Sequence, residues 1–145
     1  MAEHFFDLLI RTLILLLEKM KLIQIFYDGK CGLCSKEINY YKKVSPKNIF
    51  KWNDIANNPK ELKQIGVSQY DALMYLHALD KNKNPKIGVD AFILIWDQLK
   101  FWNLLSFIIK LPLIYSLTKL LYKLFANYRF KKLTHCQLAS QEVYK

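Results

Sequence analysis

The segment that most constrains the fold of this chain is residues 22–34, where an apolar run ends at a turn and two cysteines follow. Residues 22–27 are compact, apolar and rich in β-favouring types, and Asp28 and Gly29 form a turn dipeptide. Cys31 and Cys34 come next, with two residues between them. This order predicts a strand, a tight turn and the first turn of a helix, with the cysteine pair at the junction.

A thiolate is stabilised at such a junction. The first backbone N–H groups of a helix lack partners and carry a partial positive charge. The pKa of a free cysteine, near 8.5, falls to roughly 3.5–7.5 at helix N-termini, beside cations or in C-x-x-C pairs. We therefore expect Cys31 to be the reactive sulfur. Cys34 lies one turn further on and is expected to resolve the mixed disulfide that Cys31 forms.

Two charged neighbours are candidate supporting residues. Lys30 precedes Cys31, and its positive charge would favour the thiolate. Asp28, if charged and close, would oppose it. Asp28 has two further interpretations that the sequence leaves open: it caps the helix by accepting an amide hydrogen bond, or it relays a proton to Cys34.

Residues 27–34 resemble the D-x-x-C-x-x-C signature of the DCC family of thiol-disulfide oxidoreductases. The similarity extends from about Leu22 to about Cys136 and includes residues 88–92, Pro112 and residues 115–129. The resemblance implies a thioredoxin-like fold and a reaction class, thiol-disulfide exchange, rather than a substrate. It also implies an enzyme whose partners are a protein or small-molecule disulfide or dithiol and a reductant of unknown identity.

The order of the patterned segments predicts an α/β fold. Short strands are expected at 22–27, 49–52, 73–79 and 86–88, with the cysteine helix after the first, a short helix from Pro59, and a hairpin loop at 80–85. A strand-helix-strand unit followed by a hairpin and a helix is a thioredoxin-like sheet of about four strands. Thioredoxins place a cis-proline before the strand facing their cysteines, and residues 71–73 take that place here.

Length and composition allow one packed domain with appendages. The chain has 145 residues, of which 52% are hydrophobic and 14% aromatic. We expect an apolar N-terminal helix or extension at 1–20, a single domain with a C-terminal helical part at 21–136, and a polar tail at 137–145. Residues 1–19 have three open interpretations: a helix packed on the domain, an interfacial anchor, or a non-native extension. Their apolar run is too short for a membrane span and lacks the features of a secretory signal.

The helical part is expected to cover the sheet rather than to lie on a membrane. Helices are predicted from Val89, over 102–109 and from Pro112 to about Tyr128. In the last of these, apolar residues recur every three or four positions, which predicts an inward face: Leu113, Leu117, Leu120, Leu121, Leu124 and Phe125. In the cysteine helix, the corresponding inward residues are Leu33, Ile38 and Tyr41.

The net charge of +10 does not indicate nucleic-acid binding. Only Arg11 and Arg129 among the 22 basic residues are arginines, and the lysines are scattered rather than grouped. Attraction to an anionic membrane surface is the more plausible consequence. No Gly-rich phosphate loop is present, and we expect no cofactor. Three cysteines do not make a disulfide framework, so we expect a reducing, cytoplasmic location, with peripheral membrane association as an alternative.

Two other functions remain as alternatives. Cys31, Cys34, His135 and Cys136 provide four nitrogen and sulfur ligands, enough for a structural zinc site. A non-catalytic, membrane-associated module that kept the fold is the third hypothesis. In the redox interpretation no metal is expected, Cys136 is a bystander, and His77, on a predicted strand, is a structural residue.

Overall fold

The computed structural model describes residues 2–143. Its first half contains helix α1 (Ala2–Met20), strand β1 (Ile23–Tyr27), helix α2 (Gly32–Val44), strand β2 (Phe50–Asp54), a 3-10 helix (Pro59–Gln64) and helix α3 (Gln69–Met74). Strands β3 (His77–Leu79) and β4 (Pro85–Ile87) follow, and then helices α4 (Val89–Trp96), α5 (Asn103–Ile109), α6 (Pro112–Lys132) and α7 (Thr134–Val143).

The four strands form one mixed sheet in the order β2-β1-β3-β4. Strand β1 pairs with β2 in parallel, across the connection that contains α2, whereas the β1–β3 and β3–β4 pairs are antiparallel. This is the βαβ unit followed by a hairpin that the sequence predicts. The α/β, thioredoxin-like fold class is confirmed.

Strand β1 is central and is buried on both of its faces. Ile23 and Ile25 pack with Ile38 and Tyr41 of α2 on one side. Phe26 points to the other side, into a cluster that α3, α6 and α7 help to form. Burying each of these side chains stabilises the fold by about 1.5–3 kcal/mol. The strand is therefore held firmly, and the turn that follows it has a fixed position.

The inward face of α2 is partly as predicted. Ile38 and Tyr41 are buried, and the Tyr41 hydroxyl donates to Glu37 at 2.6 Å and accepts from the indole N–H of Trp96 at 2.9 Å. Leu33, however, is 59% exposed, so its inward placement was wrong. It lies on the first turn of the helix, beside the small pocket next to Cys34.

The predicted strand over 73–79 is shorter in the structure, because Leu73 and Met74 end helix α3. Ser68 caps that helix by accepting the N–H of Asp71 at 3.0 Å. His77 begins β3, and its Nδ1 lies 2.8 Å from the carbonyl oxygen of Tyr75. Burial lowers the pKa of His77, which therefore stays neutral. Its expected structural role agrees with these contacts.

Helix α6 does not turn its leucines towards the core. The predicted stripe from Leu113 to Phe125 is exposed, and the fully buried residues of α6 are Ala126 and Phe130. Tyr122 and Arg129 also project inwards, and the Tyr122 hydroxyl accepts the backbone N–H of Leu76 at 3.0 Å. The prediction failed because the inward side of this helix is formed by Ala126, Phe130 and two side chains with polar ends, none of which a count of leucines detects. Helix α4 does cover the sheet.

Residues 137–143 are helical rather than a polar tail, because α7 continues to Val143 and buries Cys136 and Ala139. Residues 144–145 of the predicted tail lie outside the described part of the chain. At the other end, α1 is a helix whose side chains are exposed over residues 3–17, so these residues do not pack on the domain. The anchor and the extension interpretations stay predictions.

Within residues 2–143, no individual helix combines the length and the apolar composition that crossing a membrane requires. Helices α5 and α6 meet those criteria only when taken together, and they are bent by 97° at the break between them.

Candidate active site

The candidate site begins in the turn that connects β1 to α2. The carbonyl of Asp28 accepts the N–H of Cys31 at 3.3 Å, and its carboxylate accepts the N–H of Lys30 at 3.1 Å. These two bonds close a tight turn between the strand and the helix. The predicted strand-turn-helix arrangement is therefore present, with both cysteines at the junction.

Gly29 is required in this turn by a neighbouring carboxylate. Asp54, at the end of β2, accepts the N–H groups of Gly29, Ala56 and Asn57 at 3.1–3.2 Å. A Cβ atom on Gly29 would collide with that carboxylate. The turn is thus hydrogen-bonded to the end of the neighbouring parallel strand, at a distance that leaves no room for a side chain at position 29.

Cys31 is the N-cap residue of α2. Its Sγ accepts the backbone N–H of Cys34 at 3.3 Å, which is one of the otherwise unpartnered amides of the first turn. Cys31 is only 2% exposed, and all three cysteines are free thiols. An amide directed at a sulfur atom favours negative charge on it. The assignment of Cys31 as the reactive sulfur stays a prediction.

Cys34 is half-buried and lines a small pocket together with Leu33, Phe125 and Arg129. The pocket has room for about 50 Å³ of water, a few molecules at most. Burial and a hydrogen bond to Cys31 raise the pKa of the Cys34 thiol well above its ordinary value, although nearby Arg129 works in the opposite direction. Cys34 therefore keeps its proton at neutral pH.

Asp28 is the centre of a buried hydrogen-bond cluster. Besides the turn amide, its carboxylate accepts from Arg129 at 3.2 Å, from Nε2 of His135 at 2.9 Å and from the thiol of Cys136 at 3.7 Å. Since Cys31 itself caps α2, the interpretation of Asp28 as the helix cap was wrong. A proton relay from Asp28 to Cys34 stays a prediction.

Arg129 connects the carboxylate to the cysteine pair. One guanidinium nitrogen lies 3.2 Å from Asp28 and 3.6 Å from Sγ of Cys34. The other donates to the carbonyls of Leu73 and Met74 at the end of α3. Burial lowers the pKa of Arg129, but the neighbouring thiols and Asp28 outweigh burial and raise it, so the group stays charged.

Sequence reasoning gave Arg129 no role in the site. One signal was available, since it is one of only two arginines among 22 basic residues, and an arginine suits a fixed, multidentate site. Lys30 was predicted as the supporting cation. It is exposed, and its side chain makes no hydrogen bond or ion pair with any residue in the described range 2–143.

Cys136 is fully buried, and its role as a bystander agrees with its surroundings. Burial and the negative charge of Asp28 raise the pKa of its thiol to about 12, so at neutral pH it is a hydrogen-bond donor rather than a nucleophile.

The predicted four-residue zinc set is not assembled. Among residues 2–143, the cluster with metal-binding spacing is Asp28, His135 and Cys136, whose ligand atoms lie within 4.8 Å of one another. Cys31 and Cys34 are not part of it. Arg129 already places a positive charge beside the shared carboxylate, which opposes a second cation there.

Comparison with models of known protein families relates this chain to proteins that carry out thiol-disulfide exchange. Residues 25–134 match the model of a family described as DCC1-like thiol-disulfide oxidoreductase, so the resemblance carried by Asp28, Cys31 and Cys34 is confirmed. An uncharacterised chloroplastic protein of Arabidopsis thaliana is 28% identical over 111 residues, which are 75% of this chain and 51% of that protein. The chain thus spans about half the length of this relative. No solved structure gives a significant match.

Replacing Gly29 by alanine should destabilise the domain by about 1–3 kcal/mol. The new methyl group would displace the Asp54 carboxylate and break the hydrogen bonds that it accepts from three backbone N–H groups. Gly32→Ala is the matched control. Nothing lies within 4 Å of its added Cβ, and alanine is the better helix former by up to about 1 kcal/mol. Urea denaturation of both variants measures the difference. Equal stabilities would contradict the close contact at Gly29.

Asp28→Asn should lower the free energy of unfolding by about 3 kcal/mol, because it leaves the guanidinium of Arg129 buried without a counter-charge. Asp7→Asn is a matched control, since Asp7 and Arg11 form an ion pair of the same 3.2 Å length that is largely exposed. Its effect should stay within about 0.5 kcal/mol. Denaturation in urea at neutral pH compares the two, and similar small losses would show that the buried pair does not stabilise the domain.

Proposed function

We propose that this chain, which belongs to the DCC1-like thiol-disulfide oxidoreductase family, exchanges disulfides through Cys31 as nucleophile and Cys34 as resolving thiol. The observation that carries the assignment of roles is the amide of Cys34 donating to the sulfur of Cys31 at the N-terminus of α2. The raised pKa of the Cys34 thiol supports the same order, because a resolving thiol must stay protonated while its partner attacks.

The exchange proceeds in two balanced steps. The Cys31 thiolate attacks one sulfur of a substrate disulfide, the S–S bond breaks, and the departing sulfur leaves as a thiolate that takes up a proton. Cys34 then gives up its proton and attacks the Cys31 sulfur of the mixed disulfide, which releases the second substrate thiol. The substrate gains two electrons and the Cys31–Cys34 dithiol becomes a disulfide. An external dithiol restores the pair: one of its thiolates attacks the Cys31 sulfur and releases Cys34, and its second thiol then attacks the mixed disulfide, releases Cys31 and leaves the external dithiol oxidised to a disulfide.

Arg129 supports this chemistry electrostatically. Its guanidinium lies 3.6 Å from Sγ of Cys34 and is largely buried. A unit charge about 4 Å from a thiolate is worth about 4 kcal/mol at an effective dielectric constant near 20. Because Arg129 is held by Asp28 and by two carbonyls, it does not have to reorganise when negative charge moves from one sulfur to the other.

The pocket is lined by Cys34 and not by Cys31, which is 2% exposed, so we propose that a substrate reaches the cysteine pair from the Cys34 side. The lining of the pocket is mainly apolar and includes Leu33, Phe92 and Phe125. Since it holds only a few water molecules, the substrate disulfide meets the site at its surface rather than inside a deep cleft. We propose a protein or small-molecule disulfide as substrate, a cellular dithiol as reductant and the reducing cytoplasm as location.

Cys34→Ser should trap substrates on Cys31 as mixed disulfides, because the resolving attack is lost. Cys136→Ser, which alters the third free thiol without touching the pair, should trap nothing. Incubation with a disulfide-containing peptide, followed by mass spectrometry without reductant, identifies the cysteine that carries the adduct. Trapping by Cys31→Ser, with the adduct on Cys34, would reverse the roles.

Arg129→Met should shift the pH dependence of alkylation at the cysteine pair upwards by about one pH unit or more, since a positive charge 3.6 Å from Sγ of Cys34 is lost. Lys30→Met removes the exposed neighbouring cation and should have a smaller effect. Arg129→Lys keeps the charge and should recover part of the shift. Iodoacetamide rates between pH 5 and about 10, resolved for each cysteine by mass spectrometry, measure all three. A larger shift for Lys30→Met would assign the supporting role to Lys30.

A further inference from the structure

Helix α6 presents a continuous apolar face to solvent. Six side chains on this face recur every three or four residues, and each is at least 56% exposed: Leu113, Leu117, Leu120, Leu121, Leu124 and Tyr128. We call these six residues the α6 apolar face. Isolated apolar side chains on a surface are ordinary, but an aligned set of this size marks a surface that binds something.

The charges of α6 indicate what that partner is. The helix has five basic residues and no acidic one: Lys119, Lys123, Arg129, Lys131 and Lys132. Arg129 is used inside the redox site, and the four lysines are exposed. The Lys132 ammonium lies 4.4 Å from the centre of the Tyr128 ring, at the end of the apolar face. An apolar stripe accompanied only by cations matches an anionic surface with an apolar interior.

We propose that the α6 apolar face docks onto the surface of a lipid bilayer that contains anionic headgroups. The helix would lie in the plane of the interface, with its leucines among the acyl chains and its lysines at the phosphates. A second copy of the chain fits less well, because pairing two α6 faces would bring lysines against lysines in a protein of net charge +10.

The α6 apolar face and the α6 residue that contacts the cysteine pair, Arg129, lie on different sides of the helix. Arg129 and Phe130 project towards the core, where Arg129 contacts Asp28 and Cys34. Lipid contact through the leucines therefore breaks none of the contacts that hold the site. The docking proposal does not depend on the proposed thiol exchange.

Flotation of the purified full chain with vesicles tests the proposal. The chain should float with vesicles of phosphatidylcholine and phosphatidylglycerol and not with phosphatidylcholine alone. Binding should be lost in about 1 M sodium chloride, where the screening length is about 3 Å. The Leu117→Asp/Leu121→Asp variant should lose binding, as should Lys119→Glu/Lys123→Glu. All four side chains are exposed, although the Lys119 ammonium also lies 5.0 Å from the centre of the Tyr115 ring. Circular dichroism of both variants checks that the fold is unaffected.

The matched control is Leu9→Asp/Leu13→Asp in α1, where the two leucines are as exposed as those of α6. It should retain binding. The proposal is overturned if this control alone loses binding, if the α6 variants bind like the unaltered chain, or if neutral vesicles bind equally well. A dimer in sedimentation that Leu117→Asp/Leu121→Asp dissociates would instead assign the face to a second copy.

Discussion

The ion pair between Asp28 and Arg129 is the interaction on which the geometry of the site depends. It joins residues 101 positions apart, and the two side chains are 3% and 10% exposed. Removing two charges from water is costly, and a buried pair is tolerated only when further hydrogen bonds satisfy both partners. Here a turn amide and His135 complete the hydrogen bonding of the Asp28 carboxylate. Two carbonyl groups of α3 accept hydrogen bonds from the Arg129 guanidinium and complete its hydrogen bonding. The turn after β1, the end of α3 and helices α6 and α7 are thereby held at one point.

This arrangement sets the charge balance around the cysteines. A positive group lies near Cys34, the amide of Cys34 is directed at Cys31, and the negative charge of Asp28 is balanced by its own donors. Cys136 is held as a protonated donor to the same carboxylate and so does not compete with the pair. The site consequently contains three thiols whose surroundings differ, although their residue type is the same. The exchange roles proposed for Cys31 and Cys34 rest on that difference.

The sequence predicted the parts of the site that are close together along the chain. Asp28, Cys31 and Cys34 fall within seven positions, and a strand, a turn dipeptide and a helix pattern are local features that can be read in order. Arg129 and His135 reach the site only through tertiary packing, over more than 100 positions, and no periodicity reports such a contact. Hydrophobic patterning also failed at Leu73 and Met74, because a short apolar run fits the end of a buried helix as well as a strand.

Helix α6 shows why its leucines were assigned to the wrong side. Its inward side must supply a hydroxyl to the backbone N–H of Leu76 and a guanidinium to Asp28, so Tyr122 and Arg129 occupy it. Only small or aromatic residues such as Ala126 and Phe130 complete that side. Because hydrogen bonding and the redox site determine the inward residues, the leucines are left for the opposite side, where core packing does not require them. An apolar stripe that the fold itself does not use is best explained by a contact outside the chain.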